Sequence, residues 1–137
     1  MSRSLLPMFL ALILLAGCAT TPPDIAGAGT QLATRQIQTR EYDTLDKSMT
    51  MRSVIATLQD LGFTIDQADA ELGTVTATRL HDYTMRMTVT VVEKGNERIS
   101  VRANARIGEN SVTDPNTYQD FFVVLDKAMF LTLHKVD

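Results

Sequence analysis

Two consecutive segments alternate so strictly that they leave few architectures open. Tyr83, Met85, Met87, Val89 and Val91 alternate with Thr84, Arg86, Thr88 and Thr90. Ile99, Val101, Ala103, Ala105 and Ile107 then alternate with Arg98, Ser100, Arg102, Asn104 and Arg106. A period of two is that of a strand with one buried face. Lys94-Gly95-Asn96 joins the two as a short hairpin loop. Matching the apolar faces demands an even register. Centred on Gly95, that register pairs Thr90 with Ser100, Thr88 with Arg102, Arg86 with Asn104 and Thr84 with Arg106. One face of this sheet is therefore core and the other a lattice of Thr, Arg and Asn.

A sheet with one greasy face must be covered on that side, and two segments have the pattern to do it. Met51, Val54, Ile55, Leu58 and Leu61 recur at helical spacing, with Leu45 and Met49 extending the stripe backwards. Asp43 or Thr44 can cap this helix, Gly62 can close it, and Phe63 can fold back on its last turn. Asp114-Pro115 opens a second helix, as cap and first helical residue. Its inward stripe is Tyr118, Phe121, Phe122, Leu125, Ala128, Met129, Leu133 and Val136. Val123, Val124, Phe130 and Leu131 fall outside the stripe, a width that favours burial under a tail or loop. The alternative makes Val123, Phe130 and Leu131 an apolar interface for a protein partner.

Residues 35–42 alternate weakly and suit an edge strand, residues 63–65 begin another, 66–73 read as a polar turn, and 74–79 as a further strand. The expected fold is α+β, a two-layer sandwich of an antiparallel sheet of four to five strands with two helices on one face, in the order β-α-β-β-β-β-α.

The N-terminus reads as an export signal over residues 1–17: a basic start at Arg3, an apolar run from Leu5 to Leu15, then Ala16 and Gly17. About eleven apolar residues are too few to cross a hydrocarbon core roughly 30 Å thick. Leu15-Ala16-Gly17-Cys18 stands where an ordinary secreted protein has Ala-x-Ala. It resembles the lipobox of bacterial lipoproteins, which implies a diacylglycerol and an N-acyl chain on Cys18. It also implies cleavage before that residue and a mature chain starting there. Ala19, in place of an aspartate, implies sorting to the outer membrane, at its periplasmic face. Cys18 is the only cysteine, so no disulfide is expected. Residues 19–34 mix Pro, Gly, Ala and Thr and read, with Cys18, as a lipidated disordered tether over 18–34, leaving a single domain over 35–137.

Charge is unevenly placed. Seven acids between Glu41 and Glu71 face only Lys47 and Arg52, whereas six bases between Arg79 and Ile107 face three acids. An acidic chain of net charge −3 without a Lys/Arg run does not suggest nucleic-acid binding. His81 beside Asp82 and the distant His134 form no nucleophile-and-base set, and Asp66, Asp69 and Glu71 lack the order of a calcium loop. No enzyme, metal or cofactor beyond the covalent lipid is expected. The remaining candidate surface is the lattice of Arg86, Thr88, Arg102, Asn104 and Arg106, either solvated sheet or an anion-facing platform.

The lipobox, the Pro/Gly segment and the run from Met51 to Ile65 followed by Leu72-Gly73-Thr74-Val75-Thr76-Ala77 look like those of small proteobacterial outer-membrane lipoproteins. The element order is similar to the helix-grip domains of the BamC lipoproteins of barrel assembly, which occur there in pairs. The resemblance implies an accessory protein, anchored to the membrane by lipid, that supports an envelope complex in assembly, efflux or secretion through protein contacts. The alternative expectation is a module holding a lipid or other amphiphile between sheet and helices.

Overall fold

The computed structural model describes residues 25–134. The expected signal segment, Cys18, the part of the expected tether before Ile25, and Val136 lie outside them. In chain order the elements are α1 (Ile25–Ile37), β1 (Thr39–Tyr42), α2 (Lys47–Asp60), β2 (Thr64–Asp69), β3 (Thr74–Leu80), β4 (Thr84–Lys94), β5 (Arg98–Ile107), β6 (Asn110–Ser111) and α3 (Pro115–Leu133). The sheet is antiparallel with spatial order β1-β5-β4-β3-β2, and β6 pairs with the far end of β5. The fold is α+β with two layers, as the alternation requires.

The core lies between the sheet and α2 and α3. Val75, Ala77, Met85, Met87, Val89, Val91, Ile99 and Val101 point into it from the strands, and Val54, Leu58, Tyr118, Phe121, Phe122 and Leu125 meet them from the helices. Each Val, Leu, Ile, Phe or Met among them contributes on the order of 1.5–3 kcal/mol by leaving water.

α2 ends as its sequence dictates. Gly62 takes φ +83, its N–H bonds to the Gln59 carbonyl at 3.0 Å, and the Phe63 N–H reaches back to the Leu58 carbonyl at 2.9 Å. This double closure needs a left-handed residue, which glycine adopts without a Cβ clash, and it turns Phe63 onto buried Leu58. The start of α2 differs from expectation. Its cap is Asp46, whose carboxylate accepts the Met49 N–H at 2.8 Å, so Leu45 lies outside the helix and half exposed. α3 begins with Asp114 accepting the Asn116 N–H at 3.2 Å and Pro115 in its first turn.

Four other expectations are corrected. The tether reading fails from Ile25 onward, where α1 is helical and joined to the body. Its end is held because the Gln38 carbonyl accepts the Ala103 N–H at 2.8 Å and Ile37 packs on the core. The strand expected over 35–42 is correspondingly shortened to Thr39–Tyr42. β2 continues through Asp69 instead of turning at Asp66, with an irregularity between Ile65 and Gln67 that absorbs one residue. The hairpin register is shifted by two, pairing Arg86 with Arg106, Thr88 with Asn104 and Thr90 with Arg102. Gly95, at φ +61, is the first loop residue and not the apex, so the loop is Gly95-Asn96-Glu97. The shift is even, which keeps every side chain on its expected face.

Candidate interaction surface

The outer face of the sheet is built by the alternate positions of five strands. Arg86, Thr88, Arg102, Asn104 and Arg106 all lie on it, as the alternation predicts. One row across the sheet runs Thr64, Thr78, Arg86, Arg106, Ser111. The next includes Thr76, Thr88 and Asn104, with the two threonine hydroxyls 3.4 Å apart. A third runs Thr74, Thr90, Arg102, Thr39.

The charges on this face divide by position. Near the hairpin loop, Lys94 and Arg98 both approach Glu41, at 3.9 and 3.5 Å, and Arg98 also approaches Asp43 at 3.1 Å. At the other end Arg86 stands directly opposite Arg106 on the neighbouring strand. Like charges so placed repel, since opposed Cβ atoms are only about 4.5–5.5 Å apart. Arg106 donates to the Glu109 backbone carbonyl at 2.7 Å and lies 3.6 Å from its carboxylate. Neither the Arg86 nor the Arg102 side chain makes an ion pair or hydrogen bond among the described residues. Thr84, Arg86, Arg106, Gly108 and Glu109 line a shallow pocket of about 390 Å³.

The opposite layer carries the apolar candidates. Val123, Phe130 and Leu131 are 58, 59 and 59 % exposed, so the favoured expectation of burial under a tail or loop gives way to an open apolar surface among the described residues. Leu133, counted in the inward stripe, is also exposed. Val123 and Phe130, seven residues apart, share one helical face, whereas Leu131 lies about 80° round the helix from Val123. Leu131 lines a groove of about 340 Å³ against Met49, Ala56 and Ala128, where α2 and α3 diverge. Phe130 stacks on His134 with centroids 4.3 Å apart, and the imidazole Nδ1 is 2.9 Å from the Phe130 carbonyl oxygen.

The remaining sequence candidates are dispersed. The His81 imidazole lies 3.1 Å from the Asp82 carboxylate on an exposed turn. Asp66 accepts the Thr78 hydroxyl at 2.6 Å and Asp69 accepts the Leu72 N–H at 2.8 Å, so both act within the β2–β3 region.

Two polar clusters on the inner side went unread in the sequence. Ala105 pairs with Met87 of β4, but on its other edge β5 has no strand partner there, between the pairings of β1 and β6. The Tyr118 hydroxyl fills that gap, accepting the Ala105 N–H at 3.2 Å and Gln38 Nε2 at 3.0 Å while donating to the Val112 carbonyl at 2.6 Å. One donor and two lone pairs are thereby used in full. Beside it, Asp126 accepts from both Arg40 and the Tyr42 hydroxyl, the latter at 2.7 Å, and the Arg40 guanidinium lies 4.9 Å above the Phe122 ring. Burial, then the hydrogen bond to the Asp126 carboxylate and its charge, push the Tyr42 hydroxyl well above the usual tyrosine range, against the opposing pull of Arg40. The only signal was an acid set among the apolar residues of α3, which does not name its partner.

Comparison with known proteins returns no matching family model and no matching curated protein.

Proposed function

We propose that the chain is a lipid-anchored, periplasm-facing accessory protein of an outer-membrane or envelope complex, acting through protein contacts and not by catalysis. The anchor is Cys18, supported by the Leu15-Ala16-Gly17-Cys18 pattern and the export-type segment before it. The observation that carries the reading is the exposure of Val123, Phe130 and Leu131 on a helix whose other face is already committed to the core. Removing such surface from water contributes roughly 25 cal/mol per Å², a gain available to a partner helix or strand. The outer sheet face, with its unpaired Arg86 and Arg102, adds a second surface with the charge to orient an acidic neighbour. The amphiphile-binding alternative has no such support. Most of the space it needs between the layers is taken by buried Tyr118, Phe121, Phe122, Met85 and Met87, which leaves a pocket of about 210 Å³ between Phe63, Met85, Met87 and Asp120.

The test is recovery of the protein from crosslinked cell envelopes. Full-length protein is expected to bring down a defined outer-membrane complex, and a Val123→Glu, Phe130→Glu variant to lose it. Replacing Arg86, Arg102 and Arg106 together by Ser is expected to weaken recovery. Unchanged recovery by both variants would overturn the reading.

A further inference from the structure

The corrected register places two arginines directly opposite each other, lining one pocket, where nothing in the fold requires them. From Arg86 and Arg106, facing each other across β4 and β5 above an open pocket, we propose a binding site for a phosphate group. This deepens the sheet-face part of the function proposed above by giving that face a ligand.

Charge is the first argument. The two arginines bring two positive charges to adjacent positions, and the one acid in the lining of the pocket is Glu109. That carboxylate reaches Arg106 at 3.6 Å, leaves Arg86 untouched and is itself fully exposed. An exposed pair of this kind holds weakly and is readily displaced. Elsewhere on the same face the chain does provide acids for its bases, Glu41 and Asp43 beside Lys94 and Arg98. A dianionic oxyanion neutralises both arginines at once, which Glu109 cannot do.

Shape is the second. Guanidinium groups present parallel N–H donors that match two oxygens of a phosphate, and two of them side by side can hold its adjacent edges. Thr84, on the same wall, adds a hydroxyl donor. Gly108 leaves its side of the pocket clear, since no heavy atom lies within 4 Å of where a Cβ would sit. The lining of Thr84, Gly108 and Glu109 with the two arginines contains no large apolar side chain. The ligand is therefore a phosphate borne on a polar body, either a lipid headgroup or a soluble phosphate ester. Arg102, on the same face two rows away, is outside the pocket and serves as its internal control.

The experiment uses the full-length lipidated protein in neutral detergent and follows the arginine side-chain N–H resonances. Inorganic phosphate is titrated against chloride at equal ionic strength. The expected result is saturable movement of the Arg86 and Arg106 signals with half-saturation on the order of 1 mM, and none with chloride. Arg86→Gln and Arg106→Gln should each weaken the response about tenfold, since each removes one charged donor pair. Arg102→Gln removes the same formal charge and should leave it unchanged. Glu109→Gln should tighten binding. In phospholipid nanodiscs of phosphatidylcholine with and without phosphatidic acid, movement of the same signals only with phosphatidic acid assigns the lipid headgroup. Response to free phosphate alone assigns a soluble ester. Equal responses to chloride and phosphate, or equal weakening by Arg102→Gln and Arg86→Gln, would overturn the site. The titration needs no protein partner, so its failure leaves the envelope-complex reading standing, and loss of co-recovery leaves the phosphate site standing.

Discussion

Arg40 and Arg86 occupy the same sheet and meet opposite fates. Arg40 faces inward on β1, where Asp126 takes its charge, Phe122 lies beneath it and Tyr42 completes the cluster. Arg86 faces outward on β4, opposite another arginine and with no partner. A polar group buried in the helix-facing layer costs about 1–3 kcal/mol when unpaired, and Thr57 Oγ1 is the one buried side-chain atom left so among the described residues. On the solvent side water satisfies such a group, so the fold demands no partner for it. Inner polar residues are therefore part of the folding free energy, and outer ones are free to be assigned elsewhere.

Substitutions can break or sharpen that contrast. The largest effect is expected from Tyr118→Phe, which strands the Ala105 N–H, the Val112 carbonyl and the Gln38 amide in a fully buried setting. Equilibrium denaturation of the full-length protein should show a loss of about 2–3 kcal/mol. Asp126→Asn weakens two contacts of a half-exposed carboxylate, and by the same measurement should cost about 1 kcal/mol.

Tyr42→Phe should be smaller again near neutral pH, and it carries a pH signature. Because the folded hydroxyl is raised above its unfolded value, the native state keeps a proton that the unfolded chain releases above about pH 10. Its contribution to stability is full below that pH and falls as pH rises beyond it. Unfolding midpoints measured from pH 9 upward should decline more steeply for the natural protein than for Tyr42→Phe. Smallest of all, Arg86→Gln should change stability by no more than about 0.5 kcal/mol. A loss as large as that of Asp126→Asn would erase the distinction between the two faces.

Much of this arrangement is legible in the alternation itself. The facing of every residue from Thr84 to Ile107 follows from period two, and Gly62 and Asp114-Pro115 mark helix boundaries through local geometry alone. The hairpin register was not legible to the same degree. Apolar matching fixes only its parity, and the loop conformation, with Gly95 at its first position, chooses among the even alternatives. That choice decides whether Arg86 faces Asn104 or Arg106, so the proposed phosphate site could not be seen beforehand.

α1 was missed for a different reason. Its glycines and threonines lower helix propensity against its alanines, and it is held through contacts at its end, by Gln38 and Ile37. Tyr118 and Asp126 likewise act on residues 80 and 84–86 positions away in sequence.

The docking of α1 also changes the mechanics of attachment. With the body taken to begin at Ile25, seven residue steps separate it from Cys18, a span of at most about 25 Å. Where Cys18 carries lipid, the domain works on a short leash. Its encounters with membrane neighbours are confined to a thin shell, and a weak contact is strengthened by high effective concentration. Lengthening that leash with Gly-Ser inserts between Asp24 and Ile25 would dilute the domain without altering any contact surface, and would separate the strength of its contacts from the advantage of proximity.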